Sequence, residues 1–500
     1  MLFMIVIARV QLPQKLHISM LIICVSFIEY SVLHVLDGWA MMQKMPFNDY
    51  KWVTPHEAQQ IDWKNFNFAT SAIGYILEVD LCIDSELHDY LHEFPPMPIN
   101  MNITEEMLSP YQIEHLASST GKKHFKMNEK RLCAHLGPRY HYVVHASTLS
   151  VYLKLGVKIT KFHKALSFQQ KEVFKPYIEE CTRLRIANAE NPFKKSFFKS
   201  LICSLYGRMA MKAYSGLQIF FCNKNKIIFD KYSKHPNLHS FKRIDKDLCL
   251  FYLTPRSAPK NQFPQYAFSI LEVSKACMYE SFYFTFKIIL PDIKCHMTDT
   301  DRYVFFHTRL IIYVSLKKCY YSFLCSFSTP SLPETLKKLQ TMGKLDTSNY
   351  PQNHSLYSDD VKCKPGIFKD ETAGQMDIKK AVCLKSKSYA LLLEPNEFAP
   401  PGLKAKEDKK CKGVPRISRE KYLTFQDYQD CLFESKEKSV NFSHIISENY
   451  HVKTKQGVKK SLTCVNIKAF YMCPVHSTPF YSKYIQEWKD SGMKKCLFCK

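Results

Sequence analysis

The alternation of apolar and polar positions divides the chain into segments of different type. Residues 74–81 alternate as a half-buried strand does, and residues 142–168 predict a strand, a short helix and a basic segment. Residues 174–211 and 271–286 have the spacing of helices, whereas the run Pro-Pro-Met-Pro at 95–98 predicts a loop. The pattern therefore predicts a mixed fold of helices and strands.

Two apolar stretches do not fit this alternation. Residues 16–28 are shorter than the roughly 20 residues that span a bilayer, so they predict a buried strand or a non-native leader, with no membrane partner. Residues 310–332 are apolar and carry cysteines, and the pattern assigns them to no element. From residue 333 the chain is rich in lysine and broken by Pro and Gly, which predicts a smaller separate unit.

Length and charge narrow the function classes. Five hundred residues with 46% hydrophobic positions are enough for two to four folded units, so a disordered chain is excluded. The net charge of +24 favours a polyanionic partner such as nucleic acid, although a generally basic, soluble surface gives the same composition. The 19 scattered cysteines indicate reduced thiols and an intracellular location.

Residues 295–306 contain the strongest candidate for metal chemistry. Asp299 and Asp301 are separated by one residue and are flanked by apolar and β-branched residues, which predicts two strands joined by a tight acidic turn. Carboxylates this close repel unless a cation neutralises them, and hard oxygen ligands favour Mg²⁺ or Mn²⁺. The alternative is an ordinary solvated turn.

The segment 174–211 interleaves cations with aromatic residues. This pattern suits a nucleotide or nucleic-acid surface, because cations contact phosphates and rings stack on bases. The alternative is an amphipathic helix with a solvated basic face. The residues concerned are Arg183, Arg185, Lys194, Lys195, Lys199 and Arg208 with Phe193, Phe197, Phe198 and Tyr206.

A second candidate for metal binding lies at the carboxyl end. Cys473 and His476, with Cys496 and Cys499, have the two-residue spacings of a tetrahedral zinc site. Such a site would hold a structural Zn²⁺ and stabilise the fold or bind DNA. Chance pairing among many cysteines is the alternative.

Three motifs in order resemble family B DNA polymerases. Residues 199–207 (Lys-Ser-Leu-Ile-Cys-Ser-Leu-Tyr-Gly) resemble the fingers motif, and residues 298–301 (Thr-Asp-Thr-Asp) resemble the palm motif that carries the metal-binding aspartates. Residues 36–41 (Leu-Asp-Gly-Trp-Ala-Met) are similar to the end of the first palm motif in the protein-primed branch, found in Polinton-type transposons and related viruses and plasmids. Further similar stretches extend the resemblance from around Ser31 to around Phe433; they are 142–145, 155–158, 269–275, 346–351, 366–371 and 385–389.

The resemblance implies an α+β right-hand polymerase, with an antiparallel palm sheet and helices, helical fingers and a thumb, and without the exonuclease domain. The implied organisation is a hydrophobic leader at 1–30, the palm start with an insertion subdomain at 31–145, fingers at 146–215, palm at 216–309, an apolar insertion at 310–332, a thumb at 333–435 and a C-terminal extension with the zinc residues at 436–500.

The resemblance also implies roles for individual residues. Asp299 and Asp301 would bind Mg²⁺ or Mn²⁺ and carry the catalysis, and Lys199 with Arg185 would bind the triphosphate. The other assignments are Tyr206 beside the nascent base pair, and Lys387, Tyr389, Gly38 and Trp39 on DNA.

The implied partners are a DNA primer–template, deoxynucleoside triphosphates and a terminal priming protein. The implied activity is template-directed DNA synthesis for a mobile element or a virus-like genome. A nuclear location is expected for an integrated element.

The chain departs from the family pattern at its first palm motif. The aspartate expected six residues before Gly38 is Val32, the motif Tyr is Asp37, and the motif Asn is His34. In a strand, Asp37 would lie on the face opposite to Val32, so we do not expect it to replace the lost ligand. The further departures are Cys203 in the fingers motif and Arg302 after the acidic turn.

These losses leave two leading interpretations, an active polymerase and a catalytically dead DNA-binding remnant of the same fold. A zinc-dependent interaction protein ranks third.

Overall fold

The computed structural model describes most of the chain. Its described residues are 19–33, 36–91, 94–102, 117, 130–210, 218–254, 263–291, 293–298, 302–316, 319–321, 332–385, 387–434, 436–448 and 451–463.

A central sheet collects strands from distant parts of the sequence. Its order is β11-β12-β1-β15-β14, with β13 beside β12. The pairs are antiparallel apart from β14–β15, and β1 lies between β12 and β15. The long strands β1 and β12 are rich in β-branched and aromatic residues, which suits a sheet. The bounds are β1 Ser19–Leu33, β11 Lys294–Thr298, β12 Arg302–Leu316, β13 Cys319–Tyr321, β14 Leu345–Asp346 and β15 Phe368–Asp370.

Helices cover one face of this sheet. Phe286 places its ring 4.9 Å from that of Phe368 in β15, and both side chains are buried in the largest hydrophobic core. Leu339 and Leu345 enter the same core. The helical elements around it are α4 Ala146–Lys154, α8 Pro264–Ser281, a π-helical turn Phe282–Phe286, α9 Lys287–Ile289 and α10 Leu332–Thr341.

A second sheet of order β2-β7-β3-β6 shares this core. Leu77 and Val79 of β3 are buried while Asp80 and Glu78 alternate with them, as a one-sided strand requires. The small elements around it are α1 Leu36–Met42, α2 Pro55–Gln59, a 3₁₀ turn Ser85–Leu87 and α3 His88–Leu91. The strands are β2 Met45–Val53, β3 Ile73–Cys82, β4 Ile99–Met101, β5 Arg131–Cys133, β6 Arg139–His145 and β7 Lys158–Lys171.

Two helices form the segment that the sequence predicts to be helical. They are α5, Lys175–Ala187, and α6, Pro192–Met209. Asn191 caps α6 by accepting the Lys194 backbone N–H, and Pro192 occupies the first turn, where its missing N–H costs nothing. Ile178, Cys181, Ile202 and Met209 pack against α1 and α8.

A small unit follows α6. Its sheet has the order β8-β10-β9, and one helix packs against it through Phe229 and Tyr232, whose rings lie near that of Phe251. Its elements are β8 Gln218–Asn223, α7 Lys226–Ser233, β9 Leu238–Asp245 and β10 Leu248–Leu253.

The C-terminal part of the described chain forms a separate core. Val440 and Leu462 of a long hairpin are buried with Leu384, Leu423 and Tyr428. This core crosses the expected thumb boundary at residue 435. The elements are β16 Met376–Lys385, β17 Ser388–Pro395, β18 Lys406–Cys411, α11 Arg416–Tyr422, α12 Phe425–Phe433, β19 Lys438–Glu448 and β20 His451–Leu462.

The local predictions are confirmed for most elements. Residues 73–82 form a strand, and 264–281 form a helix that continues into the π turn. The basic segment that begins at residue 158, for which no element was predicted, lies in strand β7. The apolar stretch 16–28 overlaps β1, and 310–316 continue β12. Among the described residues, no helix is both long and apolar enough to cross a membrane.

One local prediction is wrong. Asp37 was expected to continue the strand of Val32, but it lies in the first turn of helix α1. The argument from alternating strand faces therefore does not apply to Asp37. Its position instead depends on how α1 packs against α5, α6 and α8.

Candidate active site

The central sheet brings the first palm motif beside the strands of the acidic turn. Thr298 pairs with Tyr303 where β11 and β12 approach the turn, and Val32 of β1 pairs with Arg302. Asp299 and Asp301 themselves lie outside the described residues. The structure therefore fixes the two strand ends that bracket the acidic turn, and it sets β1 directly beside them.

Position 32 belongs to a row across four strands. Arg302 of β12, Val32 of β1, Lys369 of β15 and Asp346 of β14 are consecutive register partners, and we call them the four-strand row. Val32 has no oxygen to offer a cation, and its register partners on both sides are basic. Within the part of the chain that the structure describes, no group of three or more His, Cys, Asp or Glu could hold a metal ion.

Helix α1 lies next to the end of β1 and carries three predicted residues. Asp37 accepts a 3.5 Å hydrogen bond from Ser274 Oγ of α8, and burial raises the pKa of its carboxyl. Gly38 is buried. Trp39 packs on Gly366, whose φ of +79° and closeness to the ring exclude a side chain: a Cβ there would lie 2.2 Å from Trp39 Cδ1.

Helix α6 presents the fingers motif as one face. Lys199, Cys203 and Tyr206 follow at spacings of four and three residues, so they lie on the same side of the helix. Burial raises the pKa of the Tyr206 hydroxyl, and the nearby Asp37 carboxylate raises it further. Lys199 is exposed, whereas Arg185 of α5 is only 7% exposed. Lys199 is thus the accessible cation of the two.

The two residues predicted to bind the primer differ in exposure. Lys387 is exposed in the turn between β16 and β17 and has a φ of +63°. Tyr389 is 2% exposed and packs with Met376, Leu391 and Leu393. Both roles remain predictions, and the structure makes Lys387 the more accessible of the two.

The four candidate zinc ligands are Cys473, His476, Cys496 and Cys499. All four lie outside the described residues.

A buried polar group behind the site was missed by the sequence reasoning. Glu272 of α8 is 3% exposed, forms an ion pair with Lys275, and accepts a 3.3 Å hydrogen bond from the His145 backbone N–H. Thr148 Oγ1 donates to the Glu272 carbonyl at 2.9 Å. The group joins α8 to the start of α4. The resemblance of residues 269–275 to family sequences was the one signal for it, and that signal assigned no role.

Comparison with known proteins finds one similar family. A family model described as DNA polymerase type B, organellar and viral, matches residues 39–281. Residues 39–281 are therefore similar to the type B DNA polymerases. The predicted resemblance to DNA polymerases is thereby confirmed, as is the α+β class with antiparallel sheets and packed helices. Polymerases of this kind use divalent metal ions such as Mg²⁺.

Solved structures of Phi29 DNA polymerase resemble this chain. The ternary complex with primer-template DNA and incoming nucleotide substrates has a TM-score of 0.47 and 13% identity, and the match covers 87% of this chain and 58% of that one. The binary complex with primer-template DNA has a TM-score of 0.48 and 11% identity over the same shares. The orthorhombic crystal form has a TM-score of 0.47 and 12% identity, covering 89% and 59%.

This chain thus spans 58% to 59% of the length of these Phi29 polymerase chains. No curated protein matches it.

Proposed function

We propose that the chain binds a DNA primer–template and transfers deoxynucleotides from deoxynucleoside triphosphates to the primer 3′-hydroxyl. The observation that supports this most is the register of the central sheet. It sets the strand of the first palm motif against the strand that follows the acidic turn, with Val32 opposite Arg302. Motifs about 270 residues apart in sequence meet at one end of one sheet, as a polymerase site requires.

The proposed mechanism assigns each accessible group one task. Lys199 contacts the triphosphate, because an exposed ammonium on α6 offsets charge that develops on the leaving pyrophosphate. Tyr206 packs against the base pair being formed, at the end of α6 next to Asp37. Lys387 contacts the primer strand from the β16–β17 turn. Arg185, Gly38 and Tyr389 are buried, so we assign them to the packing beneath these contacts, and the contact of Trp39 with DNA stays a prediction.

The residues fit a divalent cation only in part. Asp299 and Asp301 have the carboxylate oxygens that Mg²⁺ or Mn²⁺ prefers, and a cation bound there would neutralise phosphate charge. Val32 supplies no ligand, and Asp37 lies on α1 with its carboxylate hydrogen-bonded to Ser274. The ligand set at this end of the sheet is therefore incomplete, and we expect a slow enzyme.

A catalytically dead DNA-binding remnant is the second candidate. Val32 and its two basic register partners favour it, because this row attracts phosphate but does not complete a metal site. Three further proposals apply to both candidates. They are a terminal priming protein as a partner, a structural Zn²⁺ on the four C-terminal ligands, and a nuclear location.

Primer extension tests the proposal. The purified chain is incubated with labelled primer–template and all four deoxynucleoside triphosphates in low salt, with Mg²⁺ and then Mn²⁺, beside Asp299→Asn. Extension by the parent and its loss in Asp299→Asn support the polymerase. A parent that does not extend the primer but binds the duplex supports the interpretation as a catalytically dead remnant. A parent that neither extends nor binds DNA contradicts both.

A further inference from the structure

The four-strand row contains one lysine whose surroundings suit an external anion. Lys369 lies between Phe368 and Asp370 in β15, which are 1% and 4% exposed. Phe368 points into the core beneath the helices, where its ring meets Phe286. Because side chains alternate along a strand, Lys369 emerges on the face that those helices do not cover. Its side chain is 24% exposed.

Asp346 holds this lysine from the next strand. The Asp346 side chain is fully buried, and its carboxylate accepts the backbone N–H groups of Ser348 at 2.9 Å and Cys363 at 3.1 Å. Lys369 Nζ lies 3.9 Å from Asp346 Oδ2, which is an ion pair but too long for a hydrogen bond. Among the described residues, the ammonium makes no hydrogen bond, so its three donors remain available to an acceptor from solution.

The position of the lysine indicates the class of ligand. Lys369 is the register partner of Val32, and Arg302 is the partner on the other side, so two basic residues flank the strand of the first palm motif. They lie two strands apart, about 10 Å, and the acidic turn begins beside Arg302. Since the chain carries a net charge of +24, a phosphodiester backbone is the ligand that complements this row.

We propose that Lys369, positioned by Asp346, binds a phosphate of the DNA backbone at the four-strand row. This rests on the proposed function in that it takes DNA as the partner. It gives a role to a residue of the family-like stretch 366–371, to which the resemblance assigned none. The contact does not depend on catalysis, so it holds for an active enzyme and for a remnant alike.

A purely structural lysine would behave differently. If Lys369 served only to neutralise Asp346, its removal would leave a buried carboxylate without its cation and lower stability, with no specific effect on DNA. The double variant Lys369→Met/Asp346→Asn removes both charges and separates the two roles. It also keeps the test valid if Lys369→Met alone folds poorly.

The test is the salt dependence of DNA binding by the full chain. Association constants for a fluorescent primer–template duplex are measured between 50 and 200 mM NaCl for the parent, Lys369→Met, Lys369→Arg and the double variant. Losing one phosphate contact makes the slope of log K against log salt shallower by about 0.9, so the affinity lost across this range is about 3.5-fold smaller than in the parent. Lys369→Arg should keep the parent slope.

Lys154→Met is the matched control. Lys154 is an exposed lysine at the end of α4, on the helical side of the sheet, and its removal should leave the slope unchanged. Parent slopes in both Lys369→Met and the double variant overturn the inference and leave the proposed function standing. A parent that does not bind the duplex overturns both.

Discussion

Two groups of residues at the candidate site, the α6 face and the four-strand row, are aligned by different kinds of structure. The α6 face of Lys199, Cys203 and Tyr206 comes from one continuous segment, and helical spacing alone aligns it. The four-strand row takes its residues from positions 32, 302, 346 and 369, and strand pairing alone aligns them. The helix face is visible in the sequence, whereas the row exists only in the folded sheet.

This difference matters for function. A substitution on α6 removes one contact and leaves the rest of the face in place. A substitution in the row changes the surroundings of one or two neighbouring strands, because each member pairs with residues from elsewhere in the chain. Substitutions in the row should therefore have larger effects than substitutions on the helix face. The predictions below test that ordering, from the largest expected effect to the smallest.

The largest effect should come from Val32→Asp. It adds a carboxylate beside the acidic turn, and completing the ligand set should raise the rate of primer extension about a thousandfold, or about 4 kcal/mol. Single-turnover extension in Mg²⁺ measures it. Val32→Asn, of the same size but without the charge, is the control. Equal rates for parent and Val32→Asp would show that the row does not limit catalysis.

A substitution at Gly366, three residues before Lys369 of the row, should have nearly as large an effect. Gly366 lies in the loop before β15, and Gly366→Ala forces a Cβ against Trp39 at a φ of +79°. We expect a loss of about 3 kcal/mol in the free energy of unfolding, measured by urea denaturation. In a Trp39→Ala background the contact is gone and only the backbone strain, about 1 kcal/mol, should remain. Additive effects of the two substitutions would contradict this packing.

The helix face should show a smaller, separable effect. Lys199→Ala removes one charged contact and should weaken deoxynucleoside triphosphate binding about tenfold in the presence of primer–template. Lys194→Ala is the matched control, since Lys194 is also exposed on α6 but lies on a different side of the helix. Equal losses for both variants would indicate a general charge effect and not the predicted site.

Near neutral pH, the smallest effect concerns the buried polar groups behind the site. Burial lowers the pKa of His145 to about 3, and its Nδ1 accepts the Ser147 N–H that begins α4. In the unfolded chain, the imidazole of His145 binds a proton as the pH falls through about 6.5. The native state stays neutral, so stability is full above pH 6.5 and falls as the pH drops towards 3, by up to about 1.4 kcal/mol per pH unit.

His145→Asn tests this dependence, because asparagine keeps the capping acceptor and does not titrate. Urea midpoints between pH 7 and 4.5 should fall less steeply in the variant than in the parent. His444→Asn, an exposed position, is the control and should leave the parent slope unchanged. An unchanged slope in His145→Asn would show that other groups govern the acid sensitivity.

The sequence by itself determined the features that depend on neighbours along the chain. The helical spacing of 174–211 predicted the α5–α6 pair, and strand alternation predicted β3. The polymerase motifs predicted a resemblance to family B DNA polymerases, and the family-model match to residues 39–281 confirmed that resemblance. These features follow from local periodicity and from motif residues that lie close together, and both can be read without knowing the fold.

The tertiary structure decided the features that join distant segments. It placed Asp37 on a helix that packs against α5, α6 and α8, although Asp37 was expected to continue the strand of Val32. It set Val32 between Arg302 and Lys369, paired Lys369 with the buried Asp346, and placed Glu272 behind the start of α4. Strand register and burial produce these neighbours, and they depend on contacts between residues tens to hundreds of positions apart.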